Sequence, residues 1–330
     1  MKPYKIEYIW LDGSSPIQRI RSKTKIIHLS EDQDSVSIQN IPPWMFDGSA
    51  TNQAASGAKE CILIPAFICP DPHRIGGAIA LCEVFHADGK PDAYNHRRML
   101  HSLTLDHLES KPTIAFEQEF VIMKDGEPIF WPKNQKAKRG YYCGVGSENI
   151  LGRDFLEDHL NACLAANLSI NSICATKSPS QWSYQIGGSS VDIVTASDHL
   201  VVSRYLLQRL GEKSDYQVSF EQGSQDGSNL KVEFSTELMR EVGGLEWIKS
   251  ATDTLFDQDL LSEINTNYSR DVDSDIGSAV IPLPVLLESR GYFEDHRPSG
   301  AASPYKISSL ILKTVCVNEA RLFSEKRKNQ

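Results

Sequence analysis

No stretch of this chain strings together the roughly 20 apolar residues that a membrane-crossing helix requires. Its opening, MKPYKIEYIW, also lacks the charged-then-apolar pattern of a secretory leader. A soluble cytoplasmic protein, with no membrane partner, is expected. Positive charge is in short supply: 34 Lys and Arg stand against 43 Asp and Glu, a net charge of −9. Nucleic acid and anionic surfaces select fields of Lys and Arg, so they are not expected partners. The basic run Arg19 to Lys25 is the main exception, and it reads as the solvated face of a strand. The seven cysteines are scattered singly, with neither a CxxC pair nor zinc-ligand spacing. They read as small buried hydrophobes in a reducing compartment. Repeats and low-complexity segments are also missing. What remains is an ordinary globular composition, 40% hydrophobic and 23% charged over 330 residues, enough for one large domain and a small one.

The first hundred residues read as strand and turn. Lys5 to Leu11 is a β-rich run closed by Asp12-Gly13, and Ile17 to Ile27 alternates apolar and basic side chains, which predicts a hairpin. Cys61 to Phe67 and Ala78 to Phe85 are two further strands, separated by a loop punctuated with Pro70, Pro72 and Gly76-Gly77. Beyond about residue 95 strands alternate with helices. Thr113 to Met123 predicts a strand turning back at Lys124-Asp125-Gly126. Arg153 to Asn167 predicts a helix with Asp154 as N-cap, and Asp198 to Leu210 a second. Glu237 to Asp257 predicts two more, broken at Gly243-Gly244. A Pro-containing strand region follows from Asp271, and a last helix begins near Pro304. The expected architecture is α+β: a small β domain over residues 1–95, then a larger domain of antiparallel sheet and helices over 96–330.

Three stretches hold candidate chemistry. In AFEQEF (Ala115 to Phe120), Glu117 and Glu119 share one face of a strand between two phenylalanines. Two carboxylates there need a cation between them or a solvated edge. GYFEDHRP (Gly291 to Pro298) crowds Glu294, Asp295, His296 and Arg297 after an aromatic pair, and PPWMFDGS (Pro42 to Ser49) presents Asp47 on a pinned turn. Each alone is also readable as a charged or well-pinned turn.

Together and in this order, with YIWLDG, RSKTK, LCEVF, YYCGVG, LGRD, ACLAANL, SQWSYQIG, DHLVV and FSTELMRE, these stretches resemble the glutamine synthetase family in its eukaryote-type (type II) branch. The resemblance runs over nearly the whole chain. It implies an N-terminal β-grasp domain, a catalytic domain with half of a bifunnel-shaped site, and subunits stacked into rings. The family reaction phosphorylates glutamate's side-chain carboxylate with ATP and lets ammonia displace the phosphate. Two divalent metals, Mg²⁺ or Mn²⁺, offset the gathered negative charge. ATP and these metals are the implied cofactors if the chain is active, and none need remain if it is not.

Carried over position by position, Glu117, Glu119 and Glu294 fall on metal-ligating glutamates. Asp47 falls on the acid that deprotonates ammonium and completes a neighbour's site. Ser235, Arg240 and Tyr292 fall in nucleotide-side motifs, and the family's phosphate-facing arginine after the YFED motif becomes His296, leaving only its neighbour Arg297 as a catalytic candidate. Other positions depart from the family. Thr176 and Ser183 stand where it has metal-ligating glutamates, and a neutral hydroxyl adds no charge to a hard-cation site. Lys231, in GSNLKVEFS, stands at the histidine of the family's GAGCHTNFS. A protonated lysine cannot ligate, so a salt bridge in place of the metal, or a place on a wet strand, is expected. Asp275, Val280 and Leu283 stand at arginines, and the segment between Phe256 and Ile276 is shorter than the family's flap. The implied reading is a synthetase homologue without ligase activity, acting by binding or by assembly with itself or an authentic synthetase. The alternative is an ATP-dependent carboxylate–amine ligase or transferase for another substrate, with Asp192 or Asp226 helping to hold one metal.

Overall fold

The computed structural model describes residues 1–30, 35–54, 59–129, 140–221, 228–257 and 279–328. The chain begins with β1 (Lys2–Leu11), β2 (Ile20–Leu29), β3 (Trp44–Asp47), β4 (Glu60–Pro70) and β5 (Gly77–His86), which form one sheet in the order β2-β1-β5-β4-β3. β1 and β2 are the expected hairpin, and β1 runs parallel to β5 at the sheet's centre. Alternation along β1 decides what each face covers. Ile6, Tyr8 and Trp10 enter a small core closed by Ile41 and Trp44, whereas Ile9 joins Ile79 and Leu81 in the main core. Arg21, Lys23 and Lys25 of the basic run lie half-buried on the β2 face that also carries Ile27 and Leu29, not on a fully solvated face, and Lys23 sits 3.7 Å over the Trp44 ring.

The rest of the chain builds a second, eight-stranded sheet. Its members are β6 (Thr113–Lys124), β7 (Glu127–Pro128), β8 (Ile170–Ala175), β9 (Gln181–Gly187), β10 (Gln217–Ser219), β11 (Leu230–Ser235), β12 (Ala279–Val280) and β13 (Phe293–Asp295). The main path is β12-β13-β11-β6-β9-β8, antiparallel throughout, with β7 and β10 pairing to β6. The helices are α1 (His96–Asp106), α2 (Arg153–Ala165), α3 (Ile193–Ser214), α4 (Glu237–Arg240), α5 (Leu245–Asp257), α6 (Leu283–Glu288) and α7 (Pro304–Lys328). Phe116, Phe120, Trp182, Tyr184, Ile186, Val232 and Phe234 bury one sheet face in a core shared with α2, α3 and α7. Arg97 of α1 ties the first sheet to α3, donating to Glu83 on β5 and to Asp198 on α3, both at 2.8 Å.

Three expectations need correction. The N-cap of α2 is Gly152, not Asp154, which lies within the first turn. Gly152 has φ +85°, and a Cβ there would sit 2.5 Å from Ile122 Cδ1, so backbone freedom and packing outweigh a capping carboxylate. The Pro-containing region contains helix α6 rather than continuous strand, with Pro282 and Pro284 at its start, where a missing N–H costs nothing. Cys143 is exposed and Cys174 half-buried, so the cysteines are not uniformly core residues.

Candidate functional site

The second sheet has an apolar face and an acidic one, and strand register assembles the latter. Glu117 is opposite Lys231 on β11 and Gln185 on β9, Glu119 is opposite Ser183, and Glu233 is opposite Glu294 on β13. Directly opposed residues project to the same side, so Glu117, Glu119, Glu233, Glu294, Lys231, Ser183 and Gln185 line a single face. β6 is an interior strand with partners on both sides, so its two glutamates lie on a sheet face rather than at an edge, Glu117 half-exposed there and Glu119 buried. The stretch QWSYQIG shows how sequence achieves this. Trp182, Tyr184 and Ile186 point inward, where Trp182 Nε1–H donates to Leu151 O at 2.8 Å, while Ser183 and Gln185 face the carboxylates. Gly187 closes the strand at φ +97°, where a Cβ would lie 2.7 Å from Ile114 O.

A cation already engages the face. Lys231 Nζ donates to Glu117 Oε2 at 3.0 Å. Burial works against charge on Lys231, yet Glu117, by attraction and hydrogen bond, together with Glu119 and Glu294, holds its pKa above the usual value. It is therefore an ammonium at neutral pH. His296 Nε2 lies 2.7 Å from Glu294 Oε2. Glu119 is pushed up chiefly by burial, while one of its oxygens accepts the Asn229 N–H at 3.0 Å. Among the described residues, no three His, Cys, Asp or Glu side chains converge as a metal ligand set. The donors present do not fit a divalent cation at Glu117. A lysine ammonium occupies the lone pairs such an ion would take, and two like charges competing for one carboxylate repel.

The other singled-out residues lie as follows. Ser235 Oγ donates to Gly291 O at 2.6 Å. Arg240 donates to Lys111 O at 2.7 Å and Thr113 Oγ1 at 3.2 Å. Tyr292 lies near the acidic face: burial, then Glu233 and Glu294, raise its pKa. Arg297 is turned inward, with Nε 2.8 Å from Asp295 Oδ1 and Nη1 2.9 Å from Leu255 O, so the structure does not bring it to the carboxylates. Asp47 belongs to the edge strand of the other sheet, exposed, its Oδ1 accepting from Ser49 N–H at 2.9 Å and Ser49 Oγ–H at 2.5 Å. Thr176 is buried just beyond β8, and among the described residues its hydroxyl has no hydrogen-bond partner. Val280 is opposite Glu294, whereas Leu283 is exposed on α6. Asp192 caps α3 by accepting from Val194 and Thr195 N–H, which commits its carboxylate away from any ion. Asp226, Asp275 and the shortened flap lie outside the described residues.

Sequence reasoning missed Glu233. Its carboxyl accepts from Gln185 Nε2 at 2.6 Å, and burial, then repulsion from Glu294 and Glu117, pushes its pKa up to about 6. The signal was present: Glu233 is two residues from Lys231 on the same strand, and GAGCHTNFS has an uncharged asparagine at its place. A raised carboxyl pKa means the folded chain holds that proton more tightly than the unfolded one, so stability is greatest below about 4.5 and falls as pH rises through about 6. After discounting for partial solvent exposure, the loss is about 1 kcal/mol. Glu233→Gln is expected to recover it at pH 7 and to flatten this part of the stability–pH curve, measured by urea unfolding between pH 4.5 and 7.5.

Comparison with known proteins decides the lineage. The chain is 37% identical to a glutamine synthetase of Streptomyces viridochromogenes across 340 residues, covering 95% of this chain and 97% of the relative. It is 36% identical to one from Tuber borchii, with 94% and 91% covered. The chain belongs to the glutamine synthetase family. No family model matches it. Among solved structures, the Plasmodium falciparum glutamine synthetase superposes with a TM-score of 0.71 at 11% identity, covering 96% of this chain and 72% of that one. A structure described as a GmaS/ADP complex superposes at 0.63 and 14%, covering 94% and 78%. These two likenesses confirm the fold of the glutamine synthetase family, a smaller N-terminal sheet followed by a larger antiparallel sheet with helices. No helix among the described residues is long and apolar enough to cross a membrane.

Proposed function

We propose that this chain is a eukaryote-type (type II) glutamine synthetase homologue that has lost glutamate–ammonia ligase activity and acts by binding or assembly. The observation that supports this most is the Lys231–Glu117 ion pair of 3.0 Å, which puts a tethered cation against a carboxylate that the family commits to a metal. Thr176 and Ser183 stand at two carboxylate positions of the other metal site, which would keep Glu119 alone. The expected division into a β-grasp domain, 1–95, and a synthetase-type domain, 96–330, belongs to this reading.

Assembly is the part of the proposal that Asp47 supports. Its exposure on an edge strand suits an acid offered to a neighbouring subunit, so the chain would enter rings, its own or mixed with an authentic synthetase. Co-expressed with an active synthetase and purified through a tag on this chain, the synthetase is expected to co-purify. Asp47→Asn in this chain should then lower the activity per synthetase subunit of the mixed rings. A synthetase that stays in the flow-through would remove the mixed-assembly version.

A second reading has one observation in its favour. Glu233 adds to the face a carboxylate that the family pattern lacks, so four carboxylates, Glu117, Glu119, Glu233 and Glu294, remain on it. On that reading the chain is an ATP-dependent carboxylate–amine ligase or transferase for a substrate other than glutamate. Ser235, Arg240 and Tyr292 would then hold the nucleotide, and Mg²⁺ or Mn²⁺ would be required. Nucleotide–metal binding separates the two.

A further inference from the structure

Two cysteines that are 31 residues apart in sequence meet beside the acidic face. Cys143 Sγ and Cys174 Sγ are 3.6 Å apart. Cys143 is exposed and Cys174 half-buried, whereas Cys61, Cys69, Cys82, Cys163 and Cys316 are buried. The backbone holds the pair in place: Cys143 N–H donates to Ala175 O at 3.0 Å, fastening the loop around Cys143 to the end of β8. Cys174 is opposite Ser183, which is in turn opposite Glu119, so the thiols lie two strands from the carboxylates. A thiol contact of this length needs only small side-chain rotation to reach the roughly 2.05 Å of a disulfide.

We propose that Cys143 and Cys174 form a reversible disulfide site that staples this loop to the β8 edge at the rim of the acidic face. The inference stands apart from whether the chain is a ligase. Its oxidant is a peroxide. The exposed Cys143, as thiolate, displaces hydroxide from the peroxide and becomes a sulfenic acid. Cys174 sulfur then attacks the Cys143 sulfur, and its thiol proton leaves with the second hydroxide as water. Two thiols and one hydrogen peroxide thus give one disulfide and two waters. The order follows from access and protonation. Burial, then the contact with Cys143, pushes the Cys174 thiol up to about 11, which suits it to resolve rather than to react first. In a reducing compartment such pairs are transient and redox-sensing rather than structural.

The test treats the full-length protein with increasing hydrogen peroxide, blocks free thiols after denaturation, and maps peptides by mass spectrometry. The expected first product is a Cys143–Cys174 linked peptide pair, lighter by two hydrogen atoms and reversed by dithiothreitol, while the five buried cysteines remain alkylatable. In Cys174→Ser the linked pair is absent and Cys143 is captured as sulfenic acid by a dimedone probe. Wild-type protein in which Cys143 stays a free thiol, or is driven to sulfinic acid with no linked pair, overturns the proposal. So does a link between two chains, recognised by mixing isotopically labelled and unlabelled protein.

Discussion

Supplied with glutamate, ammonium, ATP and either Mg²⁺ or Mn²⁺, the purified protein is expected to form glutamine at least about 10⁴-fold more slowly than an active synthetase assayed beside it. The magnitude follows from what stands at the ligand positions. Removing one preorganised electrostatic contact at a reacting centre typically costs roughly 2.7–4 kcal/mol of barrier. On the proposed reading, Thr176 and Ser183 each put a neutral hydroxyl where the family has a carboxylate, and Lys231 puts a positive charge where it has a neutral ligand. Such losses are not additive, so the sum is a ceiling, but two of them alone span about four decades. Phosphate released with ammonium present and glutamine counted by mass spectrometry measure this directly. Turnover within 100-fold of the active enzyme would show that the face recruits metal in spite of Lys231.

Replacing Lys231 by methionine is expected to destabilise the protein by about 1–3 kcal/mol, and Mn²⁺ to restore the loss in the variant alone. Both side chains of the pair are 32% exposed, which places it between a surface ion pair worth little and a buried one whose breakage costs about 3–5 kcal/mol. Methionine keeps the stem and removes the charge. Glu117 then faces Glu119, Glu233 and Glu294 without its counter-ion, and carboxylates held together repel. An added divalent cation relieves that repulsion and stabilises the folded state by mass action, about 2.7 kcal/mol at a concentration 100 times its Kd. Thermal unfolding with and without millimolar Mn²⁺ reads both effects. Wild-type melting should not respond to Mn²⁺. A Lys231→Met protein as stable as wild type, and equally indifferent to Mn²⁺, would remove Lys231 from the role of counter-ion.

How much of this was legible in the sequence depends on whether a feature is local. Period-two alternation put Glu117 with Glu119, and the hairpin at Asp125-Gly126 was written in its turn residues. Which strands flank β6 was not local. Alternation gives two faces but no neighbours, so an edge strand and an interior strand read alike until register pairs Glu117 with Lys231 and Gln185. Glu233 was overlooked because motif comparison directs attention to positions where a ligand is lost, not to those where a charge is gained. The Cys143–Cys174 contact, built by a loop docking on an edge strand, leaves no periodic trace. Arg297 matches a phosphate-facing motif by its letters, yet Asp295 and Leu255 draw it inward. Within two residues, a strand's alternation and one buried carboxylate decide between site and core.

The most direct measurement is a calorimetric titration of Mn·ATP into the wild-type protein, with Glu117→Ala as the control. If Lys231 has taken the place of a metal and the ligase chemistry is gone, millimolar Mn·ATP produces no saturable heat in either protein. Saturable binding to the wild type that disappears in Glu117→Ala would contradict that account, and would show a working nucleotide–metal site built on the four remaining carboxylates.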